Sequence, residues 1–459
     1  MTLTQYISDI KNRRVAVLGA GVSNMPLIKR LLSDGVSVTV RDLSSREKLG
    51  ERGEELLKLG ARLITGVGYL EKLDEDIIFR TPGIRPDKPE ISAAVARGAV
   101  LTSEMELFFD VCPCRMIAVT GSDGKTTTTT VISELLKGAG YTVHVGGNIG
   151  APLLCGADEM SPEDFAVLEL SSFQLMTMKR SPDIAVVTNL APNHLDWHLG
   201  MDEYIAAKKN IFLHQSEKGV LVLNADNELS APLEKEARGE VRFFSRRIRP
   251  ENGAFLDAGT VFGSIGGKYS PIVEENHIKI PGQHNIENYM AAFCAVRGLV
   301  STDVMNATAK TFGGVAHRIE LVRELRGVKF YNDSIASSPS RTRAGLLSFD
   351  EPVILIAGGK DKGVPFDELG ELINDRVKKL VLTGLTAEKI KAAVVNAKNY
   401  NGTLPVFVVE DFADAVKKAA SEATIGDTVI LSPACTSFDR FRNFEERGNY
   451  FKEIVNGLE

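Results

Sequence analysis

Tryptophan occurs once and cysteine five times in this chain of 459 residues. An odd, scattered cysteine set does not make a disulfide framework, so a small stapled scaffold is excluded. Cys112 and Cys114 are close, but no second pair lies at zinc-site spacing, and they read as buried or incidental thiols. A basic block is also missing: 54 Lys and Arg stand against 60 Asp and Glu, for a net charge of −6. That balance gives no reason to propose nucleic acid or an anionic membrane as partner, and any anionic substrate must be held by local cations. No apolar run approaches the roughly 20 residues of a membrane span. The segment Met1-Thr-Leu-Thr-Gln-Tyr-Ile-Ser-Asp9 has neither the basic nor the apolar region of a secretion signal. The expectation is a cytoplasmic protein, a monomer, acting on small molecules. With 44% hydrophobic and 25% charged residues the composition is globular, and the length calls for two to four domains.

What is present centres on Arg115-Met-Ile-Ala-Val-Thr-Gly-Ser-Asp-Gly-Lys-Thr-Thr-Thr128. Met116 to Val119 form an apolar run of buried-strand type, Thr120 to Gly124 a glycine-bearing turn, and Val131, Ile132, Leu135 and Leu136 follow at helical spacing. Strand, glycine loop and helix N-terminus make a phosphate cradle, in which backbone N–H groups and the helix dipole favour an anion. Gly121, Ser122, Asp123, Gly124, Lys125, Thr126 and Thr127 are its candidate ATP-binding residues, with Lys125 supplying charge and Thr126 a hydroxyl for Mg²⁺. The eight-residue P-loop pattern would need glycine at Val119, so the loop is a shortened variant. The competing reading is a chance Gly-Lys-Thr in a surface turn.

The first hundred residues alternate strand and helix patterns: strands at 14–19, 36–42, 76–80 and 99–102 and a helix at 26–32 predict a small parallel βαβ domain. Its first turn, Gly19-Ala-Gly21-Val22-Ser23, carries two glycines of the dinucleotide fingerprint, with Asn24 where the third would stand and Asp42 at the ribose-acid position. An NAD site, another nucleotide's site and a plain tight turn all fit. The pattern restarts near 103, with strands at 141–146, 165–170, 183–189 and 219–224 and short antiparallel strands over 252–280. It restarts again near 315, with strands at 328–331, 353–357, 379–383, 406–409 and 428–431 and a helix over 412–421. Three α/β domains in series, 1–102, 103–314 and 315–459, account for the length.

Polar groups at the ends of central strands mark the ligand edge of such sheets. Glu169 closes an apolar strand and is a natural Mg²⁺ ligand opposite Thr126. In Asn193-His194-Leu-Asp196-Trp-His198 three ligand-type side chains alternate. A single His on a second Mg²⁺ is preferred to a transition-metal site, since phosphate chemistry uses hard-ion sites, and a capped turn is the alternative. Asn285 or Asn288 serves a nucleotide or caps a helix. Arg318 reaches a nucleotide or makes an ion pair.

Taken in order, Thr120–Thr126, Glu169-Leu-Ser-Ser-Phe-Gln174, Asn193-His194-Leu-Asp196, Tyr204-Ile-Ala-Ala-Lys208, Gly282–Asn288, His317-Arg318, Asn332-Asp333-Ser334, Gly358–Lys362 and Leu431–Phe444 resemble the Mur ligases, ATP-dependent amino-acid ligases of peptidoglycan precursor synthesis. The resemblance covers essentially the whole chain. It implies a Rossmann-like N-terminal domain binding the UDP substrate, a central P-loop ATPase-like domain and a Rossmann-like C-terminal domain whose closure completes the site. The substrates it implies are a UDP-muramoyl-alanine and D-glutamate, joined through an acyl phosphate. Gly21, Val22, Ser23 and Asp42 would then line the UDP site, and Asn148 and His194 the muramoyl region. Asn288, Arg318 and Asp333 would hold ATP; Lys362, Ser437, Phe438 and Phe444 would hold D-glutamate. Lys125, Glu169, His194 and Lys208 become the catalytic set, with Thr126, Glu169, His194 and a carbamylated Lys208 on two Mg²⁺ ions. Two departures stand out: Asn193 where many relatives have Asp, and Ile335 where many have Lys. Folylpolyglutamate synthase is the rival within the superfamily, and a non-enzymatic nucleotide switch or a dehydrogenase the rival outside it.

Overall fold

A computed structural model describes residues 1–195, 197–361 and 363–459. Three sheets follow one another along the chain. The first holds β1 (Arg14–Leu18), β2 (Ser37–Asp42), β3 (Arg62–Thr65), β4 (Ile77–Arg80) and β5 (Val100–Thr102), all parallel, in the order β3-β2-β1-β4-β5. The second holds β6 (Arg115–Thr120), β7 (Val143–Gly147), β8 (Phe165–Glu169), β9 (Ile184–Val187), β10 (Val220–Asn224), β11 (Glu240–Ser245), β12 (Gly253–Asp257), β13 (Thr260–Ile265) and β14 (Lys268–Glu274). Its order is β14-β13-β12-β11-β10-β9-β6-β8-β7. The third holds β15 (Glu320–Leu325), β16 (Val328–Asn332), β17 (Val353–Ala357), β18 (Val377–Leu382), β19 (Val406–Val408) and β20 (Thr428–Leu431), ordered β15-β16-β20-β17-β18-β19.

The central strands are apolar throughout because helices cover both faces of a parallel sheet: every residue of β8, β10 and β17 is buried. Such runs put strands close to the predicted ranges, and the helix Phe412–Ser421 falls where its spacing placed it. The stretch after residue 252 differs in part from expectation, since β12 pairs antiparallel with β13 but parallel with β11.

The chain forms two compact units, Met1–Ile272 with Glu287–Asn306, and Val273–Ile286 with Ala307–Glu459. In the first unit one apolar cluster takes Ile7, Leu27, Phe108, Leu154, Leu168 and Phe212 together, and a separate cluster holds Leu18, Leu70, Ile78 and Ile91. The N-terminal helix Leu3–Ile10 is stitched onto the first of these by Asp158, which accepts the Leu3 and Thr4 N–H groups at 2.6 and 2.9 Å. Among the described residues no helix is long and apolar enough to cross a membrane.

Candidate active site

β6 ends at Thr120 and runs into Gly121-Ser-Asp-Gly124, from which the helix Lys125–Gly138 departs. Gly124 caps this helix at φ 78°, and a Cβ there would lie 2.3 Å from Asn288 Oδ1. Gly121 sits at φ 149°, and its Cβ would lie 1.9 Å from Thr188 Oγ1. Only glycine fits either place. The loop is pinned from β9's side: Asn189 accepts the Ser122 N–H through its carbonyl at 2.9 Å and the Asp123 N–H through Oδ1 at 3.0 Å. Lys125 Nζ donates to the carbonyls of Gly121 and Ser122, at 3.0 and 2.8 Å, while Thr127 is buried in the first turn.

Parallel register brings the carboxylate in. Val119 of β6 stands opposite Glu169 of β8, and Gly147 of β7 stands opposite the same residue. Thr126 Oγ1 donates to Glu169 Oε2 at 2.6 Å, and Asn148 Nδ2 donates to Oε1 at 2.9 Å. Thr128 Oγ1 donates to Asn288 Oδ1 at 3.2 Å, tying Asn288 to the same helix.

Lys208 is buried on the helix Met201–Lys209. Its Nζ donates to the Gly121 carbonyl at 2.7 Å and to Thr120 Oγ1 at 3.2 Å. Burial holds this amine well below the usual lysine value, and the charge of Lys125 pushes the same way against Glu169 and Asp123. Lys209 instead pairs with Glu236 at the surface. Tyr204, one turn before Lys208, places its hydroxyl 2.8 Å from Ser122 Oγ.

The two histidines near 196 separate in role. His198 is buried between Ser172 Oγ at 2.9 Å and Glu203 Oε2 at 3.1 Å, and burial lowers its pKa. Arg85 pairs with Glu203 and holds that carboxylate down at about 2. This is a structural network joining the first and second sheets' domains, so His198 is not a ligand-type partner for His194. His194 takes φ 55° and stacks edge-on against Phe173. Asp196 lies outside the described residues.

Five of the residues expected to meet the UDP substrate divide between two hollows, and His194 lines neither of them. Val22, Ser23 and Asn148 line a cavity of ≈ 240 Å³ with Arg80, Glu104 and Gln174. Gly21 and Asp42 line an open hollow of ≈ 570 Å³ with Val67 and Lys88. Asp42 is already engaged, accepting from the Ala20 and Ser44 N–H groups at 2.8 Å each. Asn24, at the missing glycine's position, donates to the carbonyls of Leu18 and Gly19 and closes the turn.

Arg80 and Glu104 were not legible as site residues. Arg80 Nη2 reaches the Phe173 carbonyl at 3.1 Å; its position at the end of an otherwise apolar strand was the available signal. Burial raises the Glu104 carboxyl to about 7. A carboxyl raised on folding stabilises fully below its unfolded pKa and loses that contribution as pH rises through the folded value. Wild-type stability relative to Glu104→Gln is therefore expected to fall between about pH 5 and 8, measured by denaturant titration at each pH. A pH-independent difference would count against the assignment.

In the second unit, Asp333 follows β16 and is buried, accepting from Ser432 Oγ at 2.7 Å and the Ile319 N–H at 3.3 Å. Burial raises it to about 7, opposed by Ser432, Ile319 and the charges of Arg318 and Arg341. Ser437 is buried, Phe438 is exposed, and Phe444 starts the helix Phe444–Asn456 against the His317 ring. Arg447 on that helix was missed: it donates to Ser334 Oγ, the Ser334 carbonyl and the Cys435 carbonyl at 3.0, 2.8 and 3.1 Å, holding both loops. Lys362 lies outside the described residues.

A glycine cradle at the C-terminal edge of a parallel sheet, backed by a carboxylate and a hydroxyl, defines a nucleotide-using α/β protein. The Mur ligase middle domain pattern matches residues 119–296, and that of the Mur ligase glutamate ligase domain matches 317–435. UDP-N-acetylmuramoylalanine–D-glutamate ligases from Ruminiclostridium cellulolyticum and Acetivibrio thermocellus are 52% and 51% identical. The alignments cover 99% and 100% of this chain and 99% of each relative. The fold is shared with the UDP-N-acetylmuramate–alanine ligase of Thermotoga maritima, at TM-score 0.56 and 19% identity, covering 97% of this chain and 100% of that one. This chain belongs to the Mur ligase family.

Proposed function

We propose that the protein ligates D-glutamate to UDP-N-acetylmuramoyl-L-alanine at the expense of ATP, as the printed names of its full-length relatives describe for them. The observation that carries the reading is the convergence of Thr126, Glu169, Asn148 and Lys208 on one phosphate loop. The substrate's terminal carboxylate attacks the γ-phosphorus and ADP leaves, giving an acyl phosphate. The D-glutamate amine then attacks the acyl carbon, phosphate leaves and the amine loses its proton. Two anions meet in the first step, so Lys125 and the loop N–H groups serve by neutralising charge and fixing alignment.

Oxygen donors beside a phosphate cradle suit Mg²⁺, and Thr126 Oγ1 and Glu169 Oε2 already meet at 2.6 Å. These two would hold one ion. His194 with a carbamylated Lys208 would hold a second. Bound Mg²⁺ supplies charge neutralisation of the phosphates. Residues 1–102 would bind the UDP substrate through Gly21, Val22, Ser23 and Asp42, with Asn148 and His194 of the next domain meeting its muramoyl region; residues 103–314 would bind ATP, and residues 315–459 D-glutamate. Asn288, Arg318 and Asp333 would complete the ATP contacts; Lys362, Ser437, Phe438 and Phe444 would receive the acceptor. The working form is a cytoplasmic monomer.

With ATP and Mg²⁺, rapid phosphate release is expected only when UDP-N-acetylmuramoyl-L-alanine and D-glutamate are both present. L-Glutamate, lysine and diaminopimelate should fail as acceptors. Full release without the UDP substrate would sink the ligase reading, and preference for another acceptor would overturn the D-glutamate assignment alone.

A further inference from the structure

We propose that the first unit binds one transition-metal ion of zinc type at the N-terminal edge of the central sheet, through Cys114, His144 and Asp164. One ligand atom from each, sulfur, imidazole nitrogen and carboxylate oxygen, lies within 4.8 Å of the other two. Strand register builds the cluster. Cys114 immediately precedes β6 and Asp164 immediately precedes β8, whose first residues Arg115 and Phe165 are paired. Val143 of β7 pairs with the same Phe165, which sets His144 alongside. Asp164 is oriented by the Ser161 N–H at 3.1 Å and meets His144 Nε2 at 2.9 Å.

The donor set is what distinguishes this cluster from the phosphate site. A thiol, an imidazole and one carboxylate suit a borderline-soft ion such as Zn²⁺, whereas Mg²⁺ takes oxygen ligands. Bonds of about 2.0–2.3 Å to a tetrahedral ion put ligand atoms roughly 3.3–3.7 Å apart, so small shifts complete the site, with the His144–Asp164 pair opening from 2.9 Å. A fourth position remains for water or for Cys112, whose thiol lies beside that of Cys114. Cys114 is buried, and a bound dication would take the place of its thiol proton and hold the thiolate. Sequence spacing hid the set, because its members are 30 and 20 residues apart along the chain and meet only through strand pairing. An ion here would tie together the starts of the three strands whose far ends carry the phosphate loop, Asn148 and Glu169.

The test uses the full chain, freed of metal by chelator dialysis and kept in excess Mg²⁺ to occupy hard-oxygen sites. Titration with Co²⁺ should raise a thiolate-to-cobalt charge-transfer band and tetrahedral d–d bands that saturate at one ion per chain. One equivalent of Zn²⁺ should erase them and raise the thermal midpoint. Cys114→Ser and His144→Ala should lose the band and weaken zinc binding by at least about 100-fold. Cys155→Ser, at a thiol beside Glu104 and Arg30, should leave both unchanged. No band on the wild-type chain, or one that survives His144→Ala at full intensity, overturns the proposal. The wild-type and His144→Ala arms decide the matter even if Cys114→Ser does not fold.

Discussion

Lys208→Ala protein is expected to lose at least about two orders of magnitude in turnover, with partial recovery when short-chain carboxylic acids are added. A lysine on a helix is ordinarily a solvated charge. This one is buried, donates to Gly121 and Thr120 of the phosphate loop, and is held well below its usual pKa by burial. Those conditions supply the neutral amine that carbamylation requires: nitrogen attacks CO₂, a proton leaves, and a carboxylate-like group remains to meet a metal. Lys209, paired with Glu236, has neither the burial nor the neighbours. Steady-state turnover of Lys208→Ala, with and without added acetate or formate, measures the effect. Full activity in Lys208→Ala would refute the assignment.

Lys125→Ala is expected to cost roughly 3–4 kcal/mol of transition-state stabilisation, again at least a hundredfold in turnover. The fold should survive it. Nζ donates to its own turn's carbonyls at Gly121 and Ser122, and the loop is independently fixed by Asn189, Thr188 and Tyr204. The thermal midpoint should therefore stay near wild type while phosphate release collapses. A variant that keeps wild-type turnover would remove Lys125 from the reaction.

Much of the fold was legible because buried parallel strands are nearly continuous apolar runs, as in Val220–Asn224 and Val353–Ala357. The strands that were missed carry other signals. Arg62–Thr65 is a short edge strand, and Glu240-Val-Arg-Phe-Phe-Ser245 mixes charges into its run. Glu320–Leu325 alternates acid, base and apolar side chains as an antiparallel edge. The helix Leu3–Ile10 was not assigned from the sequence, although its capping box, Thr2 with Gln5, is a local signal. At the site, the glycine turn and Glu169 could be read from sequence because local chemistry marks them. The proximity of Asn148 to Glu169, the burial of Lys208 rather than Lys209, and Arg447's grip on Ser334 depend on register and packing, which no local pattern contains.

The apolar cluster that runs from the first sheet's helices into those of the central sheet bears on how this polypeptide could be dissected. Arg80, at the end of β4, donates to the Phe173 carbonyl and Thr177 Oγ1, while Leu3 and Thr4 donate to Asp158. Ile7 and Leu27 share one apolar cluster with Phe108 and Leu154. Severing the chain near residue 102 would strand these groups on two fragments, each exposing greasy surface and unpaired donors. The N-terminal hundred residues are thus no portable cassette: expressed alone they should be sticky, and grafted onto another ligase they would arrive without the floor they fold against.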